Sequence, residues 1–308
     1  MPEERSKNIL KFYLKANKNK EKTIGGTEVI RPYSIAEDTV MSCINALLLD
    51  EENASSKIRY YLLSSLEDKM IDLKKELDYW NYLGYSFENQ RPLRYEKPSK
   101  ENYASRKVYK NYLTLRNKIR QGHIYWGAKG DRLESILEHI YGCLVLTLGI
   151  ESEYDYKVNF DRVMKMLLLH ETEEIKIGDL TEWDISKEEK EVKGKMAVNE
   201  LLSELEGKEE LLSLIDEFND KKTIESSYAN LIDKLEYDMQ VKVYELEGRY
   251  DFEHYPDNVV TRSKRVQDII NNGAGSVFNV HYEYDKERYY PIPCMRRILE
   301  ETKATKKM

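Results

Sequence analysis

Apolar residues recur at spacings of three and four along most of this chain, a periodicity that predicts helices rather than strands. Residues 61–82 place Leu62, Leu66, Met70, Leu73 and Leu77 on one stripe, as in an amphipathic helix lying on a core. Residues 132–149 repeat the pattern with Leu133, Ile136, Leu137, Ile140, Leu144 and Leu148. Residues 160–174 carry Val163, Met164, Met166, Leu167 and Leu168, apolar almost all round, which predicts a central helix. Two more stripes run over 196–217 and 224–246, the second through Tyr228, Leu231, Leu235, Met239 and Val243. Alternation suited to a strand is confined to a short piece near Val277–Tyr284. The predicted fold class is all-α.

Breaks in the periodicity divide the chain. Residues 84–104 lack a stripe, carry Pro92 and Pro98, and read as a connection between an N-terminal helical region (1–104) and the remainder (105–308). Residues 184–190 form a polar loop. Beyond Tyr250, Pro256, Asn271-Asn272-Gly273, Pro291 and Pro293 predict irregular chain with short helices and a frayed, Lys-rich end. The two parts also resemble each other. Asn8–Lys18 parallels Lys107–Lys118, and Ser34-Ile-Ala-Glu-Asp38 parallels Ser135-Ile-Leu-Glu-His139. The N-terminal region therefore reads as a degenerate partial repeat, with Asp38 where the second copy has His139.

Composition narrows the class. With 308 residues the chain can hold one large domain or two modest ones. The 49 Lys+Arg against 56 Asp+Glu give a net charge of −7, which disfavours duplex nucleic acid as the main partner. No apolar run approaches the roughly 18–20 residues of a membrane span. The opening residues lack the apolar core of a secretory leader, so a soluble, cytoplasmic protein is expected. Cys43, Cys143 and Cys294 form no Cys-x-x-Cys pair, which argues against a disulfide scaffold or a thiolate zinc site. Gly-rich phosphate loops and nucleophile elbows do not occur; Ile24-Gly-Gly26 is too short to count. Tyrosine is abundant, 24 against 6 Phe, and its amphipathic ring suits helix interfaces.

The chemistry collects in one series. His139 lies within a helical stripe, His170 follows Leu167-Leu-Leu, Glu171 adjoins it, and Asp233 interrupts another apolar run. Two His and two carboxylates from three helices make an N₂O₂ set suited to a divalent transition metal. Glu174, four residues after His170, is expected one helical turn along on the same face. Crowding of Glu171, Glu173, Glu174 and Asp179 is itself costly without a cation. His123, His254 and His281 lack such company and read as surface or local structural residues.

The order His139 … His170-Glu171 … Asp233, with Glu174 and Gly178-Asp179 downstream, resembles the signature of the HD-domain metal-dependent phosphohydrolases. The nearest branch is the 5′-deoxynucleotidase-like proteins. This resemblance covers about residues 105–250. It implies an HD-type helical bundle with an extra N-terminal helical region. It also implies one divalent cation (Mn, Co, Ni, Fe or Zn) held by His139, His170, Glu171 and Asp233. Glu174 would orient or deprotonate the attacking water, and Asp179 would act beside it. Arg120 and Arg132 would bind the substrate phosphate, with Arg116 as a further candidate. The implied reaction is hydrolysis of (deoxy)nucleoside 5′-monophosphates or another small phosphoester, and the implied assembly is a homodimer. The N-terminal repeat would then occupy the surface where a second subunit docks. Glu171 departs from the signature Asp by one methylene. That departure, with the extra N-terminal region, motivates the alternative of a non-catalytic nucleotide-sensing module; triphosphate substrates are a third reading.

Overall fold

The computed structural model describes residues 2–23, 33–49, 53–66, 103–181 and 183–307. The N-terminal part holds α1 (Pro2–Asn17), α2 (Ile35–Leu49) and α3 (Ala54–Ser65). Next come α4 (Tyr103–Tyr112), α5 (Gln121–Tyr125), α6 (Ile136–Glu153), α7 (Phe160–Leu169) and α8 (Glu174–Ile177). The remainder comprises α9 (Lys187–Leu202), α10 (Lys208–Asp220), α11 (Ile224–Leu246), α12 (Lys264–Asn271), α13 (Val277–Asp285) and α14 (Pro293–Ala304). Among the described residues no strand forms, only isolated bridges at Thr23–Ser34 and Ile119–Ser135. The fold is all-α, as the periodicity predicts.

Helix α6 is the axis of the fold. Ser135 and Glu138 cap it reciprocally: Ser135 N donates to Glu138 Oε2 at 2.8 Å and Glu138 N to Ser135 Oγ at 3.3 Å. Every residue from Ile136 to Ile150 is buried, which requires neighbours on all sides. Those neighbours are α1, α2, α7 and α11. Side chains of 2–66 and of 103–307 enter one continuous hydrophobic core.

Several sequence expectations need correction. The helix expected over 160–174 ends at Leu169, because Thr172 turns back, its amide donating to Leu169 O at 2.9 Å and its hydroxyl bonding the same carbonyl at 2.5 Å. The stripe over 196–217 splits into α9 and α10 at Gly207, whose φ of 72° no helix tolerates. The expected strand near Val277–Tyr284 is helix α13, started by Ser276, whose side chain accepts from Asn279 N. Most of 61–82 and of the connection 84–104 lies outside the described residues. The polar loop ends earlier than expected, at Ser186, which caps α9.

Helix α11 also buries a carboxyl group. Asp238 is fully buried and accepts from Tyr289 Oη at 2.7 Å; His281 Nδ1 is 3.9 Å from its other oxygen. Arg288 pairs with the neighbouring Asp285 at 2.7 Å. Burial, then the Asp285 charge, pushes the Asp238 carboxyl well above the usual carboxylate range. Burial likewise lowers His281 to about 3, so it is neutral. The folded carboxyl thus keeps a proton that the unfolded chain releases near pH 4, so the contribution of Asp238 itself to stability falls as pH rises above that point. Asp238→Asn removes this loss. Urea unfolding at pH 5 and pH 8 is expected to show the variant gaining on the wild type at the higher pH.

Candidate metal centre

The capped start of α6 puts His139 one turn inside the helix and fully buried. Its Nδ1 lies 2.5 Å from Glu236 Oε2, so it donates to that carboxylate and leaves Nε2 facing the other way. His170, at the end of α7, is oriented by its own backbone: Nδ1 donates to Leu167 O at 2.7 Å. Its Nε2 then faces His139 Nε2 at 3.4 Å. Glu171 Oε1 lies 3.3 Å from His170 Nε2 and 3.6 Å from His139 Nε2. Asp233 Oδ1, from α11, lies 3.1 Å and 3.9 Å from the same two nitrogens. One ligand atom from each of the four residues lies within 4.8 Å of the other three.

This donor set fits a divalent cation. Two imidazole lone pairs and two carboxylate oxygens converge, and in that state none has a proton to give another. Burial opposes ionising Glu171, but Arg120 and His170 hold its carboxyl well below the usual range. Burial likewise opposes Asp233, and Lys234 with His139 holds it well below. Burial and Arg120 disfavour charge on His139, yet the carboxylates of Glu236 and Asp233 outweigh them and raise its pKa well above the ordinary value. A field that draws a proton this strongly also favours a metal ion. Cys143 stands beside the site, its Sγ 3.6 Å from His139 Nε2, but burial pushes its thiol up to about 12. A neutral thiol leaves nitrogen and oxygen as the donors.

Glu171 reaches the cluster because the turn after Leu169 aims it inward. Arg120 secures it: Nη1 donates to Glu171 Oε1 at 2.7 Å and lies 3.7 Å from Asp179, with Nη2 3.9 Å from Asp233. Arg120 is buried and its Nε has no hydrogen-bond partner. Glu174 opens α8, is 2% exposed, and leaves Oε2 unpartnered, with Lys190 Nζ 3.7 Å from Oε1. Burial, then the charges of Glu171 and Asp179, raises its carboxyl well above the usual range. Gly178, at φ 83°, ends α8 with a turn that L side chains resist. Asp179 then faces back, and Gln121 N donates to its Oδ2 at 2.6 Å.

The structure brings seven of the eight sequence-nominated residues to this place. The exception is Arg132. Its guanidinium pairs with Glu138 at 2.5 Å and Glu37 at 3.1 Å, tying together the starts of α2 and α6. Arg116 lies over the Tyr33 ring, 4.9 Å from its centroid. His123 is buried between Tyr250 Oη and Glu134, whereas His254 is exposed. Sequence reasoning missed Glu236, although its place three residues after Asp233 on one helix was a usable signal.

A profile of the HD domain matches residues 113–272, about half of the chain, and that span includes every residue of the cluster. The chain belongs to the HD-domain family. The HD-domain match is joined by curated relatives. The 5′-deoxynucleotidase HDDC2 of Xenopus laevis is 30% identical over 164 residues, spanning 52% of this chain and 73% of that protein. Human 5′-deoxynucleotidase HDDC2 is 30% identical over 165 residues, covering 52% and 72%. The Schizosaccharomyces pombe 5′-deoxynucleotidase hdd1 is 28% identical over 166 residues, covering 52% and 80%. This HD-domain protein is thus a metal-dependent phosphohydrolase of the 5′-deoxynucleotidase-like branch. No helix among its described residues is long and apolar enough to cross a membrane.

Proposed function

We propose that this protein hydrolyses (deoxy)nucleoside 5′-monophosphates to a nucleoside and inorganic phosphate. The observation that supports this reading most is the His139–His170–Glu171–Asp233 donor set opening beside both a buried guanidinium and an unpartnered carboxyl. When bound there, a divalent cation supplies a Lewis-acid contact to a phosphoryl oxygen and lowers the pKa of water. Arg120 is placed to bind the phosphate, exchanging part of its contact with Glu171 and Asp179 for a planar, charge-assisted contact. Glu174 takes the proton of the attacking water: burial and the charges of Glu171 and Asp179 make its carboxylate a stronger base. The water oxygen bonds to phosphorus as the bond to the 5′ oxygen breaks, and that oxygen must be protonated as it leaves. Asp179, fixed by the Gln121 amide, stands next to Arg120 and Glu174 as the second carboxyl group for that exchange.

The test uses full-length protein freed of metal and reloaded with Mn²⁺, Fe²⁺, Co²⁺, Ni²⁺ or Zn²⁺. Each form is offered a panel of ribo- and deoxyribonucleoside 5′-mono- and triphosphates, and phosphate release is measured. Metal-stimulated release from monophosphates is expected, with triphosphates poor. Nucleotide binding without release under every metal would overturn the proposal in favour of a sensing module.

A further inference from the structure

Helix α1 and the turn after it lie outside the matched HD segment, yet they reach its metal centre. Tyr13 Oη donates to Glu236 Oε1 at 2.6 Å, and Lys20 Nζ donates to the same oxygen at 2.7 Å. Lys20 also bonds Glu134 Oε1 at 2.5 Å and Gln240 Oε1 at 3.0 Å. Tyr13, Lys20, Glu134, Glu236 and Gln240 are all buried. Gly142, on α6 just past His139, makes room: a Cβ there would lie 2.0 Å from Glu236 Oε1.

We propose that Tyr13 and Lys20 are positioning residues of the metal centre, fixing Glu236 and through it the ring of His139. The geometry carries the logic. Glu236 Oε1 accepts from two N-terminal donors, which leaves Oε2 turned to His139 Nδ1. That bond sets the tautomer and aims Nε2 at the other ligands; metal-bound His residues depend on such partners. Without Tyr13 and Lys20, Glu236 loses both donors that hold Oε1, so its carboxylate is free to turn and the ring is no longer fixed.

The two segments that parallel each other in sequence are also built alike. Tyr13-Leu14 in α1 corresponds to Tyr112-Leu113 at the end of α4. Each helix is followed by a 3₁₀ turn, Lys18–Lys20 and Leu113–Asn117. Ile35 N donates to Lys22 O and Ile136 N to Lys118 O, both at 2.9 Å, and both next helices open with the same Ser/Glu cap. The copies pack crosswise, α1 on α6 and α4 on α2. Tyr112 hydrogen-bonds Thr172, next to Glu171. One copy's tyrosine thus braces the His139 side and the other's braces the Glu171 side. Among the described residues no ligand group gathers round Asp38, the counterpart of His139.

The inference rests on the metal-centre reading, and Co²⁺ binding to the full chain tests both. Lys20→Met and Tyr13→Phe are each expected to weaken Co²⁺ affinity, by roughly 10–100-fold for Lys20→Met and toward the lower figure for Tyr13→Phe. Both are expected to shift the visible Co²⁺ absorption bands. Ile9→Ala, buried on the same helix but not bonded to Glu236, is expected to lower Tm while leaving affinity and spectrum unchanged. If Lys20→Met does not fold, Tyr13→Phe decides, since it removes one hydroxyl only. Folded variants with wild-type affinity and spectrum would overturn the inference alone, as would Ile9→Ala moving both equally. Failure of the wild type to bind Co²⁺ would overturn the metal-centre reading and this inference with it.

Discussion

His170→Ala is expected to leave the protein folded, without stoichiometric metal, and at least about a thousandfold slower in phosphate release, a loss of several kcal/mol of Lewis-acid stabilisation. The imidazole is nearly buried and pinned at Nδ1, so its Nε2 is committed to the cluster. Truncation removes one of four donors and leaves Glu171 and Asp233 facing a site with less to offer a cation. His170 also packs against Phe218, with ring centroids 5.3 Å apart, so a modest drop in Tm accompanies the change. Metal content after dialysis, measured by elemental analysis beside phosphate release, checks it. A variant that keeps both its metal and its rate would remove His170 from the centre.

The second large effect separates chemistry from binding. Glu174→Gln is expected to retain metal and to lower kcat by roughly 10²–10⁴-fold, the usual worth of a positioned general base. Gln preserves volume in a nearly closed pocket, so the fold has no reason to adjust. The unpartnered Oε2 and the upward shift from burial, Glu171 and Asp179 mark this carboxyl as the one prepared to accept a proton. Steady-state kinetics with the reloaded enzyme reads the effect. An unchanged kcat would pass the role to Asp179, whose Oδ2 is held by the Gln121 amide.

Much of this was legible because it is written locally. The stripe over 224–246 coincides with α11, since Thr223 and Ser226 cap it where the apolar pattern begins. The candidate ligands were legible as a series because His139 and Asp233 interrupt apolar helical stripes and His170-Glu171 follows a third. The stretch from His170 to Glu174 was not, because helical spacing cannot show that Thr172 will return its hydrogen bonds to Leu169. The setting of Arg132 was hidden for a similar reason: the resemblance nominated it for the phosphate, while its partner Glu37 lies 95 residues away. Lys20 gave no signal. Among many lysines, only the folded chain brings it to Glu134 and Glu236, 114 and 216 residues distant.

The shared ammonium of Lys20 bears on where such a protein can be cut. Breaking a buried pair by removing one partner costs about 3–5 kcal/mol, a large part of a typical domain's margin. A fragment trimmed to residues 113–272 would strand Glu134 and Glu236 in an apolar interior without their cation, and would bare the face of α6 that α1 covers. The segment that comparison marks out is therefore smaller than the unit that can stand alone. In excision, fusion or domain exchange, the first helices must travel with the histidines they support.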